Sequence, residues 1–142
     1  MQHDSGNWLA STVTRVHAVA GTVHVVEGDG LRLLAAVNIP PAVQEAVDYV
    51  PRGKGMAGIA LTSGQPVQTC NLADDPTGNI QPGAKAVSAK AAVAMPVRDS
   101  SGAVVAVVGI AFGDERHIPD QEVQALMKDA ESIVTVISPR IS

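Results

Sequence analysis

The sequence predicts an α+β fold, an antiparallel sheet of about five to six strands with helices on one side and a second layer on the other. Three observations predict it. Two β-rich runs, Thr22–Glu27 and Leu31–Val37, flank Gly28-Asp29-Gly30, and glycines accept the positive φ that a tight hairpin demands. A second pair of runs, Lys90–Arg98 and Ala103–Phe112, is joined across Asp99-Ser100-Ser101-Gly102 and is apolar at nearly every position, which marks strands covered on both faces. Helical and extended segments do not alternate as regular βαβ units, which argues against a parallel sheet.

Taken in order, Asn7–His17 places Trp8, Leu9, Val13, Val16 and Ala20 near a 3.6-residue period and predicts a short amphipathic helix. Thr12, Val13 and Thr14 weaken it, because β-branched side chains lose rotamer freedom against the preceding turn. The first hairpin follows, and Pro40-Pro41 stops its second strand. Ala42–Tyr49 has room for about two helical turns before Pro51 ends it. Gly55–Thr62 predicts a second short helix, closed by Gly64. Gln65–Thr69 is extended. Asn71–Lys85 carries two prolines and two glycines and predicts a long functional loop. The last element, Pro119–Ile137, is the best helix. Pro119 stands near its start and Asp120 and Glu122 lie in its positive first turn. Val123, Leu126, Ala130, Ile133 and Ile137 form one stripe, and Met127, Val134 and Val136 widen it beyond what one sheet contact needs. A second partner for that stripe, a second copy of the chain, is the expectation.

The 142 residues predict a single domain over 1–142, with a core at about 9–137, large enough to bury a hydrophobic interior. No run approaches the roughly 18 apolar residues that span a bilayer, and MQHDSGNW has neither the basic nor the apolar region of a signal peptide. The single Cys70 cannot form an internal disulfide, so a cytoplasmic location is expected. The formal charge of −4 with scattered Lys and Arg argues against nucleic acid. Trp8, Tyr49 and Phe112 are the only aromatic residues, too few for a stacking platform. Low charge on a hydrophobic chain points again to a covered apolar patch and a homodimer.

Gly53-x-Gly55-x-x-Gly58 matches the dinucleotide-binding fingerprint, with Asp74 and Asp75 at about the expected ~20-residue distance. The context fails. That fingerprint leaves a buried strand, whereas Asp48, Tyr49, Pro51 and Arg52 precede these glycines, and the helix after them is too short. A phosphate-binding P-loop fails too, because Gly53-Lys54 is followed by Gly55 and no hydroxyl. The glycines are therefore expected to serve a sharp turn and a close helix–sheet contact.

The hairpin VHVVEGDGLRLLAAV, the stretch VPRGKGMAGIALTSGQPVQTCNLADDP, the pair AAVAMPVRDSSGAVVAVVGIAF and the ending HIPDQEVQALMKDAESIVTVI together resemble a GAF domain, a small-molecule-sensing relative of the PAS fold. The phrase that carries most of the likeness runs from Pro51 to Val67 and on to Asn71-Leu72. The resemblance implies terminal helices on one face of the sheet, short helices and loops on the other, and a ligand chosen from a wide range. Its cyclic-nucleotide signature is not matched, since Leu72 follows Asn71 and Phe112-Gly113-Asp114-Glu115 has the wrong spacing. Chromophore attachment would need Cys70 elsewhere, and the family's methionine sulfoxide reductases recycle through more than one cysteine.

The other candidates for chemistry are weaker. Cys70 reads as structural, since Asp74 and Asp75 oppose a reactive thiolate. His3, His17, His24 and His117 show no metal spacing, and neither a catalytic residue nor a metal ligand is expected. Adjacent Asp74 and Asp75 point apart and do not form an acid–base pair. The expected function is a non-enzymatic regulatory domain with an unidentified small ligand and an unknown cofactor requirement, signalling to a separate effector through its terminal helices. Met56, Ala57 and the Asn71–Lys85 loop would roof the pocket and Met95 and Phe112 would floor it, with His24, Thr77 and Asn79 as polar anchors. The alternatives are a ligand-free dimerisation module with a filled core and a reductase acting through Cys70.

Overall fold

The computed structural model describes residues 2–69, 91–114 and 118–134. Its elements are α1 (Gln2–Arg15), β1 (Ala20–Glu27), β2 (Gly30–Val37), α2 (Pro41–Ala46), β3 (Tyr49–Pro51), α3 (Gly55–Ser63), β4 (Val67–Thr69), β5 (Ala91–Arg98), β6 (Val104–Phe112) and α4 (Asp120–Glu131). All strand pairs are antiparallel, and the six-stranded order is β3-β2-β1-β6-β5-β4. The α+β expectation holds; the helix expected over Ala42–Tyr49 is Pro41–Ala46, and Tyr49 begins the short edge strand β3.

Local chemistry places the turns. Gly28 takes φ +59 at the first of the two positions between paired Glu27 and Gly30, where a II′ hairpin turn demands it. In the second hairpin the Asp99 carboxylate accepts from the Ser101 and Ala103 amides at 2.9 and 3.2 Å and from the Ser101 hydroxyl. Those bonds, the Ser101 hydroxyl first, hold the Asp99 carboxyl below the usual carboxylate range. Gly64 closes α3 with φ +68, its amide donating to the Ala60 carbonyl at 2.9 Å.

Two cores lie on the two faces of the sheet. The larger contains Val23, Val25, Val93, Met95, Val97, Ala106, Val108, Ile110 and Phe112 from the strands, together with Leu9 and Val13 of α1 and Val123, Leu126 and Ala130 of α4. The smaller contains Leu31, Val50, Ala94 and Val107 under Ala60 and Leu61 of α3. This division explains strands that are apolar on both parities: odd positions of β5 and even positions of β6 from Ala106 onward meet the terminal helices, and the alternate positions lie on the face that carries α3.

Part of the wide stripe of the last helix is buried within the chain. Met127 and Val134 pack against the larger core, and α4 meets α1 as well as the sheet. The Trp8 indole N–H donates to the Ser132 hydroxyl at 2.7 Å, and Arg15 pairs with Asp129 at 2.9 Å. That ion pair is half-exposed and contributes little. Within the chain α1 covers part of that stripe.

A side chain also ties the sheet edge to the start of α4. The Gln68 amide donates from Nε2 to the Ile118 carbonyl and accepts at Oε1 from the Ile118 amide, both at 3.0 Å. Gln68→Ala leaves both backbone groups of a buried residue without these partners. The expected cost is about 2 kcal/mol, read as a fall in the urea midpoint with the slope unchanged.

Candidate functional site

Opposite the terminal helices, the middle of the sheet is built from small side chains. Register places Ala36, Thr22, Gly109, Ala94 and Val67 in one row across β2, β1, β6, β5 and β4. The neighbouring row runs Ala20, Ala111, Ala92, Thr69. A third, on the other side of the first, runs Leu33, His24, Val107, Pro96. The α3 cluster covers Val107 and Ala94.

Accessibility separates the two faces. Thr22, Gly109, Ala111 and Ala92 remain half-buried although they sit on β1, β6 and β5, strands with a neighbour on either side. On the opposite face of the same strands Val23 and Val108 are 0 % exposed and Val93 and Ile110 are 1 % exposed. One face is sealed, and the other is partly accessible at these four positions, a shallow floor beside buried Ala20, His24, Ala94 and Val107. Gly109 gives the floor its depth: a Cβ there would meet the Thr22 Oγ1 at 2.8 Å. An isolated glycine inside the run VVAVVGIAF was the sequence signal for such a close approach, and the sequence reading passed over it.

His24 stands on this face, two residues along β1 from Thr22, and is 3 % exposed. Its Nε2 lies 2.9 Å from the Val47 carbonyl just after α2. A carbonyl only accepts, so Nε2 carries the proton and Nδ1 is the bare acceptor. Nδ1 is buried and has no hydrogen-bond partner. Burial, opposed by the Val47 bond and the charge of Asp48, holds the imidazole below its ordinary value of 6.5 and therefore neutral.

The sign of the resulting pH effect follows from linkage. Above about pH 6.5 both folded and unfolded His24 are neutral and the group adds no pH dependence. As pH falls below 6.5, the unfolded chain takes up a proton that the folded one refuses, so stability drops until the lower folded value is reached. The expected slope approaches about 1.4 kcal/mol per pH unit from this site. Urea melts of wild type and His24→Gln between pH 5 and 8 isolate it. Equal pH profiles in the two proteins would contradict the assignment.

The structure gathers some of the expected site residues and separates others. His24, Met56 and Ala57 share the α3 side of the sheet, with Met56 and Ala57 packed at the margin of the smaller core. Met95 and Phe112 do not floor a site there. Both belong to the larger core beneath the terminal helices, at 1 % and 0 % exposure, because strand parity turns them to the other face. Thr77, Asn79, Cys70 and the rest of the Asn71–Lys85 loop lie outside the described residues. Thr22 and Gly109 are the floor residues that sequence reasoning missed. Among the described residues no group of three or more His, Cys, Asp or Glu could hold a metal ion, and no helix is long and apolar enough to cross a membrane.

Comparison with known proteins gives a family and several similar structures. The GAF domain family model matches residues 9–138. No curated protein sequence matches significantly. A type II free methionine-R-sulfoxide reductase from Thermoplasma acidophilum superposes with a TM-score of 0.77 at 14 % identity, covering 96 % of this chain and 91 % of that one. The GAF domain of an Acinetobacter phosphoenolpyruvate-protein phosphotransferase gives 0.75 at 13 % identity, covering 97 % and 84 %. A free methionine-R-sulfoxide reductase from Neisseria meningitidis, solved with its substrate, gives 0.70 at 16 % identity, covering 89 % and 73 %.

At these identities the likeness is one of fold. It nevertheless corrects the expectation of a non-enzymatic chain. The structures that this fold resembles include reductases alongside a phosphotransferase's GAF domain, so the architecture accommodates catalysis and gives no ground for excluding it.

Proposed function

The chain belongs to the GAF domain family, and from that premise we propose that it is a small-molecule-binding regulatory domain whose ligand rests on the open floor formed by Thr22, Gly109, Ala111 and Ala92. The carrying observation is the contrast between the two faces of the same central strands, one sealed and the other left partly accessible at Thr22, Gly109, Ala111 and Ala92. A sheet face that small residues leave partly uncovered offers an apolar surface with few polar groups, a make-up that suits a small ligand. Met56 and Ala57 of α3 stand on the same side.

A thermal-shift screen over cyclic nucleotides, amino acids, 2-oxo acids and haem tests the reading. A ligand at a hundred times its dissociation constant stabilises by about 2.7 kcal/mol, a shift of several degrees. Gly109→Leu, which fills the floor, is expected to abolish that shift. A stabilising ligand whose effect survives Gly109→Leu, or no stabilisation by any member, would count against the reading. The same preparation is assayed for reduction of free methionine-R-sulfoxide by a thiol, the activity named for two of the similar structures. Turnover abolished by Cys70→Ser would replace regulation with catalysis.

Signal output through the terminal helices completes the proposal. Its support is the packing of α1 and α4 together on the opposite face of the strands that carry the floor. A homodimer formed through those helices is the simplest output, and a separate effector chain is the other. Sedimentation velocity at high concentration tests the dimer; a monomer there removes it.

A further inference from the structure

His24 brings a buried acceptor with no partner to the same face as the open floor. Its Nε2–H is committed to the Val47 carbonyl at 2.9 Å, which fixes Nδ1 as the lone-pair nitrogen. Nδ1 has no hydrogen-bond partner and is shut off from solvent, so bulk water does not serve it. Buried polar atoms are almost always paired, and one that is not calls for a missing partner. Two residues along β1, about 7 Å away at strand spacing, the Thr22 hydroxyl lies over Gly109 on the half-accessible floor. His24 and Thr22 are thus two polar groups on a stretch of sheet otherwise built from Ala, Gly, Val, Leu and Pro.

We propose that His24 Nδ1 accepts a hydrogen bond from an N–H or O–H group of the small molecule bound on this floor, selecting ligands that present a neutral or cationic donor there. A carboxylate or phosphate oxygen is refused at that end, because two acceptors face each other with no proton between them. Asp48, whose charge acts on the ring, also disfavours an anion and favours an ammonium or amide donor. The ring is held beside α2, a six-residue helix that buries none of its residues and ends next to the Val47 bond. This inference rests on the ligand-binding reading above and adds the chemical class of the ligand.

The test uses the full wild-type chain labelled with nitrogen-15, observed by NMR at the His24 ring nitrogens and at the backbone amides of Thr22, Gly109 and Ala111. The probes are 2-pyrrolidinone, its N-methyl derivative and pyruvate. With 2-pyrrolidinone the Nδ1 resonance is expected to move upfield together with the floor amides. Affinity should be at least tenfold higher than for the N-methyl derivative, and pyruvate should leave Nδ1 unmoved. Floor amides that respond while Nδ1 stays still would overturn the His24 assignment and leave the binding floor standing. Equal responses to the methylated and unmethylated probes would overturn the donor requirement. No response at either place would overturn both the inference and the reading beneath it. A second arm uses His24→Phe, folded by the same spectrum, in which the tenfold preference should disappear; if the preference persists, the inference is wrong.

Discussion

Gly58→Val is expected to leave the chain unable to reach its native fold, and Gly58→Ala to cost about 3 kcal/mol. A Cβ at residue 58 would meet the Pro51 carbonyl oxygen at 2.6 Å and the Gly53 backbone nitrogen at 3.1 Å. These are main-chain atoms, so no side chain can turn aside to relieve the clash. They are also committed. The Gly53 amide donates to the Gly58 carbonyl at 3.0 Å, and the Gly58 amide donates to the Lys54 carbonyl at 3.0 Å. Moving α3 away to make room would break that loop and lift Ala60 and Leu61 from Val107 and Ala94. Gly53, at φ +81, favours glycine for a different reason, since side chains rarely tolerate that backbone region. Circular dichroism melts of Gly58→Ala and Gly53→Ala check the ranking, and a Gly58→Ala protein as stable as wild type would contradict the close approach.

Phe112→Ala is expected to cost about 3–5 kcal/mol, a large share of the roughly 5–15 kcal/mol that holds a domain together. Phe112 is 0 % exposed in the larger core, among side chains that include Ile110, Ile118 and Ala91. Truncation leaves a cavity that rigid strands on one side and helices on the other cannot collapse to fill. The variant also separates the two faces of the sheet. Guanidinium unfolding should show the full loss, while any ligand that binds the Thr22–Gly109 floor should keep its affinity at temperatures where the variant is still folded. A ligand affinity that falls with Phe112→Ala and rises in parallel with Phe112→Leu would return Phe112 to the site.

Both predictions turn on how far residue spacing reaches. The two hairpins, the Gly64 helix stop and the apolar stripe of the last helix were legible, because each rests on φ preference or periodicity within one segment. The conformational reading of Gly53 and Gly58 was legible for the same reason. Met95 and Phe112 were misplaced because a strand apolar at every position hides its parity. Periodicity distinguishes two faces only when one of them is polar. The Trp8–Ser132 contact between α1 and α4 was not legible, because it joins residues at opposite ends of the sequence. The Gln68–Ile118 clamp was invisible for the same reason, being a contact between two segments with no shared pattern.

By itself the sequence determined the class of fold, the family, the order of most elements and the conformational work of the glycines. These follow from local backbone preference and hydrophobic patterning, which act over a few residues. Tertiary structure alone decided which face of β1, β5 and β6 is sealed and which is open, and so which small residues form a floor. It also decided that His24 stands beside that floor with one ring nitrogen engaged and the other without a partner. The physical reason is that exposure and hydrogen-bond satisfaction are properties of what comes to lie against a residue. In an antiparallel sheet covered by helices, those neighbours come from distant parts of the chain.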